Sequence, residues 1–133
     1  TGDNQLMIVT NPNCEKCEKA YRHIKDISST VSVSLVLLTY PNDRLGERVA
    51  LTIITAYLTE GWEKAIDLLQ EWYDTHHIKE AELYYIASEV KEIWRKQQIY
   101  CSKRNIFRTP SVLVNGHYIP EVYPPSALRH LLS

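Results

Sequence analysis

The spacing of hydrophobic positions changes several times along the chain, and each change predicts a different element. Gln5 to Thr10 (QLMIVT) is short, rich in β-forming residues and followed by Asn-Pro, so it predicts a buried strand. After Cys17, apolar side chains recur every three or four residues without glycine or proline, which predicts an amphipathic helix ending near Ser28. Val31 to Thr39 begins with strict alternation and ends continuously apolar, which predicts a central strand.

The middle of the chain is predicted to be helical. No proline occurs between Asn42 and Asn105, and the apolar positions there keep a helical period. The pattern predicts helices at Asp43 to Leu58, Trp62 to Tyr73 and Ala81 to Ser102. About half of the chain is therefore expected to be one helical block.

The pattern returns to β-structure near the end of the chain. Ser111 to Val114 predicts a strand, Asn115-Gly116 a two-residue hairpin turn and His117 to Ile119 the returning strand. Ser126 to Leu132, after two prolines, predicts a short helix that packs on the sheet. The order β-α-β, helical block, β-β-α predicts an α/β fold with a mixed sheet between helices.

Composition limits the number of domains and the class of partner. A chain of 133 residues with 44% hydrophobic and 23% charged residues can bury one ordinary core, so we expect a single domain over residues 1–133. The formal net charge of −1 and the dispersed Lys and Arg residues argue against a nucleic-acid or anionic-membrane partner. No apolar run approaches the ~20 residues of a membrane helix, so we expect no membrane insertion of this segment.

The start of the sequence leaves room for a missing segment. It begins at Thr1 rather than at a methionine, so a signal peptide, a membrane segment or another domain could have been removed ahead of it. The localisation of the protein therefore does not follow from the composition.

The chain has three cysteines, which cannot all pair with one another. This argues against a disulfide-scaffold protein. Cys101 lies on a predicted helix and is interpreted as a buried core thiol, with a resolving or regulatory thiol as the alternative. Cys14 and Cys17 form a Cys-x-x-Cys unit between the first strand and the first helix.

A cysteine pair at a helix start suits thiol–disulfide chemistry. The unpaired N–H groups and the positive end of the helix dipole stabilise a thiolate at Cys14, and Cys17 is near enough to attack a mixed disulfide formed there. Glu15 disfavours the Cys14 thiolate and Lys16 favours it, so the sign of the net pKa shift stays open. Asn13 immediately precedes the pair and is a third residue expected to tune it.

Other interpretations of the pair remain. A structural zinc site needs four ligands, and no second Cys or His pair with suitable spacing is evident, so no metal site is predicted. A carrier of a soft ion such as Cu(I) needs fewer ligands and stays an alternative. An inert local disulfide, or a redox-inactive peptide-binding domain, is the remaining option.

Two separated segments of the sequence resemble the signatures of the thioredoxin superfamily. They are NPNCEKC at the strand-to-helix junction and TPSVLVNG, which contains Thr109-Pro110 directly before a predicted strand, a position that proline tolerates. The helical insertion at about residues 42–105 and the segment VNGHYIP resemble the DsbA-like branch. More narrowly, both end segments resemble thioredoxin-like domains of Bacteroidetes that are often fused to vitamin K epoxide reductase-like membrane domains.

The resemblance implies both a fold and an activity. The fold would be thioredoxin-like, with a four-stranded mixed sheet flanked by helices and a large helical insertion. The activity would be disulfide exchange on protein thiols, in oxidative folding or in reduction, with Cys14 as nucleophile, Cys17 as resolving thiol and a cis-proline loop at Thr109-Pro110 beside the substrate. No cofactor is implied. An extracytoplasmic, periplasmic location is implied, with a membrane tether and a quinone-linked membrane oxidoreductase domain as further expectations.

The aromatic residues of the helical block are interpreted mostly as packing residues whose polar ends reach the surface. In the alternative interpretation, a minority of them line a hydrophobic groove near the cysteines that binds unfolded substrate. They are Trp62, Trp72, Trp94, Tyr57, Tyr73, Tyr84 and Tyr85.

Overall fold

The computed structural model describes residues 5–19, 32–78, 88–115 and 117–118 of the chain. Its strands are β1 (Gln5–Thr10), β2 (Ser32–Leu37), β3 (Ser111–Val114) and the two-residue β4 (His117–Tyr118). Residues 15–19 are helical and are called α1; the longer helices are α2 (Arg44–Glu60), α3 (Trp62–Thr75) and α4 (Ser88–Lys103).

β1 lies inside a mixed sheet. It pairs in parallel with β2 on one side and antiparallel with β3 on the other, so that Ile8 lies between Leu35 and Val112. β4 pairs antiparallel with β3, and Val114 opposite His117 confirms the two-residue hairpin turn. Three strands thus make up the body of the sheet. β4 contributes only two residues, and the count of four full strands stays a prediction.

β2 is not the central strand that its apolar pattern predicted. Within the described residues it lies at the edge of the sheet, with β1 as its neighbour. Its last two residues, Val36 and Leu37, are nevertheless buried because core clusters cover both faces of the sheet. The continuous apolar run therefore reports burial on two faces and carries no information about the number of neighbouring strands.

Alternation along β1 separates the two core clusters. Leu6 and Ile8 pack into the larger cluster, which also contains the apolar faces of α2 and α3 and the Cys17 side chain. Val9 packs on the opposite face with Cys101, and the half-buried Met7 packs against the same cluster. The cysteine pair and Cys101 therefore belong to different faces of the sheet.

The helices of the insertion begin and end at recognisable signals. Asp43 caps α2, since its carboxylate accepts a hydrogen bond from the Gly46 N–H at 2.9 Å. Gly61, with a positive φ of 96°, separates α2 from α3 in a conformation that suits glycine. None of the helices in the described ranges is long and apolar enough to cross a membrane.

Most predicted elements are present with shifted ends. β1 and β3 have the predicted bounds, β2 is shorter than Val31 to Thr39, and the helical turns begin at residue 15 rather than after Cys17. The start of the third predicted helix at Ala81 and the terminal helix from Ser126 lie outside the described residues.

Candidate active site

The site begins with the turn that joins β1 to α1. Asn11 is fully buried, and its side-chain oxygen accepts a hydrogen bond from the Asn13 N–H at 2.9 Å, which closes an Asx-type turn. The Glu18 N–H then donates to the Cys14 carbonyl at 3.2 Å, so helical hydrogen bonding starts at Cys14. The turn thus places Cys14 at a helix N-terminus, as the sequence predicted.

Cys14 is a half-buried free cysteine. Burial alone would raise its pKa, but hydrogen bonds from the side chain and backbone of Cys17, with contributions from Thr109 and the Lys16 backbone, outweigh burial and lower the pKa below the ordinary 9.0. The direction of the net shift, which the sequence left open, is therefore towards the thiolate. A lowered pKa enlarges the thiolate fraction at a given pH, and the thiolate is the nucleophile.

Cys17 has the opposite character. Its side chain is only 1% exposed, and this burial raises its pKa to about 11 in spite of hydrogen bonds from the Asn11 backbone and the Thr10 side chain. The Asn11 N–H lies 3.3 Å from the Cys17 sulfur. The pair therefore combines one accessible thiol that ionises readily with one buried thiol that stays protonated.

Thr109 lies directly beside the pair. The Cys14 sulfur is 3.7 Å from the Thr109 carbonyl oxygen, and a cis peptide bond joins Thr109 to Pro110. The Thr109 hydroxyl is buried and makes no hydrogen bond of standard geometry within the described residues, yet it is near enough to both thiols to lower the pKa of each. The two sequence signatures are therefore in contact.

The three residues expected to tune the pair differ in what they do. Asn13 is exposed, and its side-chain amide lies 3.4 Å from the carboxylate of Asp43, which links the turn to the start of α2. Glu15 and Lys16 are both exposed in the first turn of α1. Lys16 favours the Cys14 thiolate through its backbone N–H, so hydrogen bonding at the helix start, more than side-chain charge, sets the pKa of Cys14.

Two aromatic residues at the end of α3 support the turn. The indole N–H of Trp72 donates to the Pro12 carbonyl at 2.7 Å, and the Tyr73 hydroxyl donates to the Asn11 carbonyl at 3.0 Å. The expectation that their polar ends reach the surface is wrong, because both groups are buried against the turn. Two adjacent aromatic residues within a helical pattern give no sequence signal that they support this turn, since their partners are carbonyl groups about sixty residues earlier in the chain.

A small cavity opens beside Cys14. It has a volume of about 350 Å³ and is lined by Pro12, Asn13, Cys14, Glu15, Glu18, Tyr73 and His76. His76 and Glu18 approach each other to 3.9 Å across it. Across the described ranges, no group of three or more His, Cys, Asp or Glu side chains is arranged to hold a metal ion.

No protein-family model and no curated protein matches the sequence. Solved structures do match. A protein described as a candidate protein-disulfide isomerase from Pseudomonas syringae superposes with a TM-score of 0.81 at 16% identity, over 99% of this chain and 94% of that one. The thiol-disulfide exchange protein alpha-DsbA2 from Wolbachia pipientis gives 0.80 at 10% identity, over 99% and 81% of the two chains.

A third similar structure is a periplasmic thioredoxin-like protein from Salmonella enterica serovar Typhimurium. Its TM-score is 0.79 at 13% identity, over 98% of this chain and 83% of that chain. At these identities the similarity concerns the fold. The chain has a thioredoxin-like fold, in which α2, α3 and α4 lie between β2 and β3 in the sequence.

Proposed function

We propose that this chain is a single thioredoxin-like domain that exchanges disulfides with protein thiols. Cys14 is the attacking sulfur and Cys17 the resolving sulfur. The observation that carries the proposal is the asymmetry of the pair: the pKa of half-buried Cys14 is lowered, whereas the pKa of buried Cys17 is raised. Disulfide exchange needs one accessible thiolate that attacks the substrate and a second thiol that later resolves the mixed disulfide.

In the oxidising direction, a substrate thiolate attacks the Cys14 sulfur of the Cys14–Cys17 disulfide. The Cys14–Cys17 bond breaks, a substrate–Cys14 bond forms, and Cys17 leaves as a thiolate that takes up a proton. A second substrate thiolate then attacks the substrate sulfur and releases Cys14 as a thiolate. The substrate has lost two electrons and the pair has gained them, and reduction of a substrate disulfide is the same path reversed.

Thr109-Pro110 is proposed to position the substrate next to Cys14. The Thr109 carbonyl lies against the Cys14 sulfur, so a peptide bound along this loop has its cysteine close to the attacking atom. Main-chain pairing with such a loop holds a peptide without requiring particular side chains. Asn13, Glu15 and Lys16 form the exposed surroundings and are proposed to adjust substrate preference and potential.

Oxidative folding outside the cytoplasm is the proposed setting. It rests on the resemblance of the two signature segments, and the similar Salmonella protein is described as periplasmic. A quinone-linked membrane domain of the vitamin K epoxide reductase-like class is the proposed source of oxidising equivalents, with membrane tethering through a segment ahead of Thr1. The competing proposal within the same chemistry is a protein-disulfide reductase.

The deciding experiment is equilibration of the Cys14–Cys17 pair against glutathione in metal-free buffer, with Cys14→Ser as control. A potential above about −200 mV supports an oxidase or isomerase, whereas a value near about −270 mV supports a reductase. A pair that forms no disulfide and instead binds Cu(I) tightly overturns the proposal in favour of a metal carrier. Full cellular function of Cys14→Ser would favour a redox-inactive peptide-binding domain.

A further inference from the structure

The second exchange step raises a problem that Cys14 does not solve. When the reduced protein acts on a substrate disulfide, the buried Cys17 must lose its proton and attack the Cys14 sulfur. A thiolate in a buried site is costly unless hydrogen-bond donors face it. Within the described residues, no Asp, Glu, His, Lys or Arg side chain is buried, so no charged group is found in the core there to assist.

Two buried hydroxyl groups, those of Thr10 and Tyr73, form a short hydrogen-bonded chain that begins near Cys17. The Thr10 hydroxyl is near enough to Cys17 to affect that thiol through hydrogen bonding, and it lies 2.9 Å from the Tyr73 hydroxyl. The Tyr73 hydroxyl in turn lies 3.0 Å from the Asn11 carbonyl oxygen. Thr10 and Tyr73 are each 1% exposed, so this chain of groups is shielded from solvent.

We propose that the Thr10 hydroxyl stabilises the Cys17 sulfur during the second exchange step and that Tyr73 fixes the direction of this hydroxyl. In this proposal Thr10 acts directly on a reacting atom, and Tyr73 is a positioning residue that acts through Thr10. The inference rests on the proposed disulfide exchange and adds a role for α3, the helix that carries Tyr73.

The hydroxyl pair can serve both protonation states of Cys17. When Cys17 is a thiol, it donates to Thr10, Thr10 donates to Tyr73, and Tyr73 donates to the Asn11 carbonyl. When Cys17 is a thiolate, both hydroxyls turn: Tyr73 donates to Thr10, and Thr10 donates to the sulfur. The Asn11 N–H donates to the sulfur in either state.

The step itself balances without any further reagent. Cys17 begins as a thiol, and its sulfur forms a bond to Cys14 while the bond from Cys14 to the substrate sulfur breaks. The substrate leaves as a thiolate and takes up the proton that Cys17 gives up. The turned hydroxyls stabilise the negative charge on Cys17 before the new bond forms.

The test is a single turnover of the reduced protein with a peptide disulfide, quenched with acid and analysed by mass spectrometry. Formation of the Cys14–peptide mixed disulfide reports the first step, and its decay reports the second. Because a hydrogen bond to a charged group is lost, Thr10→Val should slow decay about tenfold near neutral pH, and Tyr73→Phe severalfold. Thr10→Ser should restore decay to within about twofold of the wild-type rate.

A matched control keeps the result specific to this site. Thr52→Val removes another buried threonine hydroxyl, one that bonds the Arg48 carbonyl on α2, and should leave both steps unchanged. The pH dependence of mixed-disulfide decay should also shift to higher pH in Thr10→Val, because the pKa of Cys17 rises further. The other ionisable groups that act on Tyr73 are Cys14 and Glu18, and His76 lies 3.9 Å from Glu18. Cys14 cannot ionise while it is bonded to the peptide in the mixed disulfide. Glu18→Gln removes the carboxylate of the Glu18–His76 pair, which tests whether that pair contributes to the pH dependence.

The outcomes distinguish this inference from the proposed function. Equal decay in the wild type, Thr10→Val and Tyr73→Phe overturns the inference, as does equal slowing of both steps, which indicates only a structural role. If Thr10→Val does not fold, Tyr73→Phe and Thr10→Ser still decide the question. A wild-type protein that forms neither the mixed disulfide nor a Cys14–Cys17 disulfide on reaction with the peptide disulfide overturns the proposed function instead.

Discussion

The indole N–H of Trp72 donates a hydrogen bond of 2.7 Å to the carbonyl oxygen of Pro12, two residues before Cys14. The contact joins the end of α3 to the turn that starts α1, and the neighbouring Tyr73 makes a second contact to the same turn. The helical insertion therefore helps to hold the cysteine pair in place, in addition to covering one face of the sheet.

Replacing Trp72 by Phe should weaken the protein and its exchange activity together. The change removes the donor to the Pro12 carbonyl and leaves that buried acceptor unpaired, which costs about 1–3 kcal/mol. Urea unfolding measures the loss, and mixed-disulfide formation measures the effect on Cys14. Trp62→Phe is the matched control, since Trp62 lies at the opposite end of α3, and it should keep the wild-type rate. An unchanged stability for Trp72→Phe would contradict the anchoring role.

Cys14 and Cys17 should react with an alkylating reagent over different pH ranges. A lowered pKa gives Cys14 a larger thiolate fraction at any given pH, so its alkylation by a neutral reagent should reach half-maximal rate below pH 9.0. Cys17, with a pKa of about 11 and little exposure, should remain unmodified over the same range. Mass spectrometry of the alkylated peptides measures both. A Cys14 midpoint at or above 9.0 would show that the helix start does not favour the thiolate.

Cys101 should take no part in the chemistry. Its side chain is fully buried among Val9, Val36, Ile106 and Leu113, in the cluster that does not contain the cysteine pair, and burial raises its pKa. Cys101→Ala should therefore keep the exchange rate to within about twofold. Mild oxidation of the wild type should yield a Cys14–Cys17 bond and leave Cys101 reduced. A bond from Cys101 to either other cysteine would instead support the resolving-thiol alternative.

The core between α3 and the sheet should be sensitive to truncation. Leu69 has no exposed surface and packs in the larger cluster, so Leu69→Ala should lower the free energy of unfolding by about 2–5 kcal/mol. Leu58, near the end of α2, is 43% exposed, and the same substitution there should cost less than about 1 kcal/mol. Similar losses in the two variants would mean that the cluster around Leu69 is not a main source of stability.

The elements themselves were largely predictable because they depend on local patterns. Gln5 to Thr10 and Ser111 to Val114 were bounded by turn-forming residues on the sequence and have the predicted ends in the structure. The position of β2 in the sheet was not predictable in this way. Its apolar residues report that both faces are covered, whereas strand order depends on which chain segments pair side by side.

The sequence by itself determined the cysteine pair, its place at a helix start and the separate proline signature, because spacing and composition carry these features directly. Only the tertiary structure decided which groups surround the pair. It brought Thr109 to Cys14, and Tyr73 to Thr10 near Cys17, across 95 and 63 positions of sequence. The opposite pKa shifts of Cys14 and Cys17 arise from burial and hydrogen bonds, to which both neighbouring backbone groups, such as that of Lys16, and the distant Thr109 contribute.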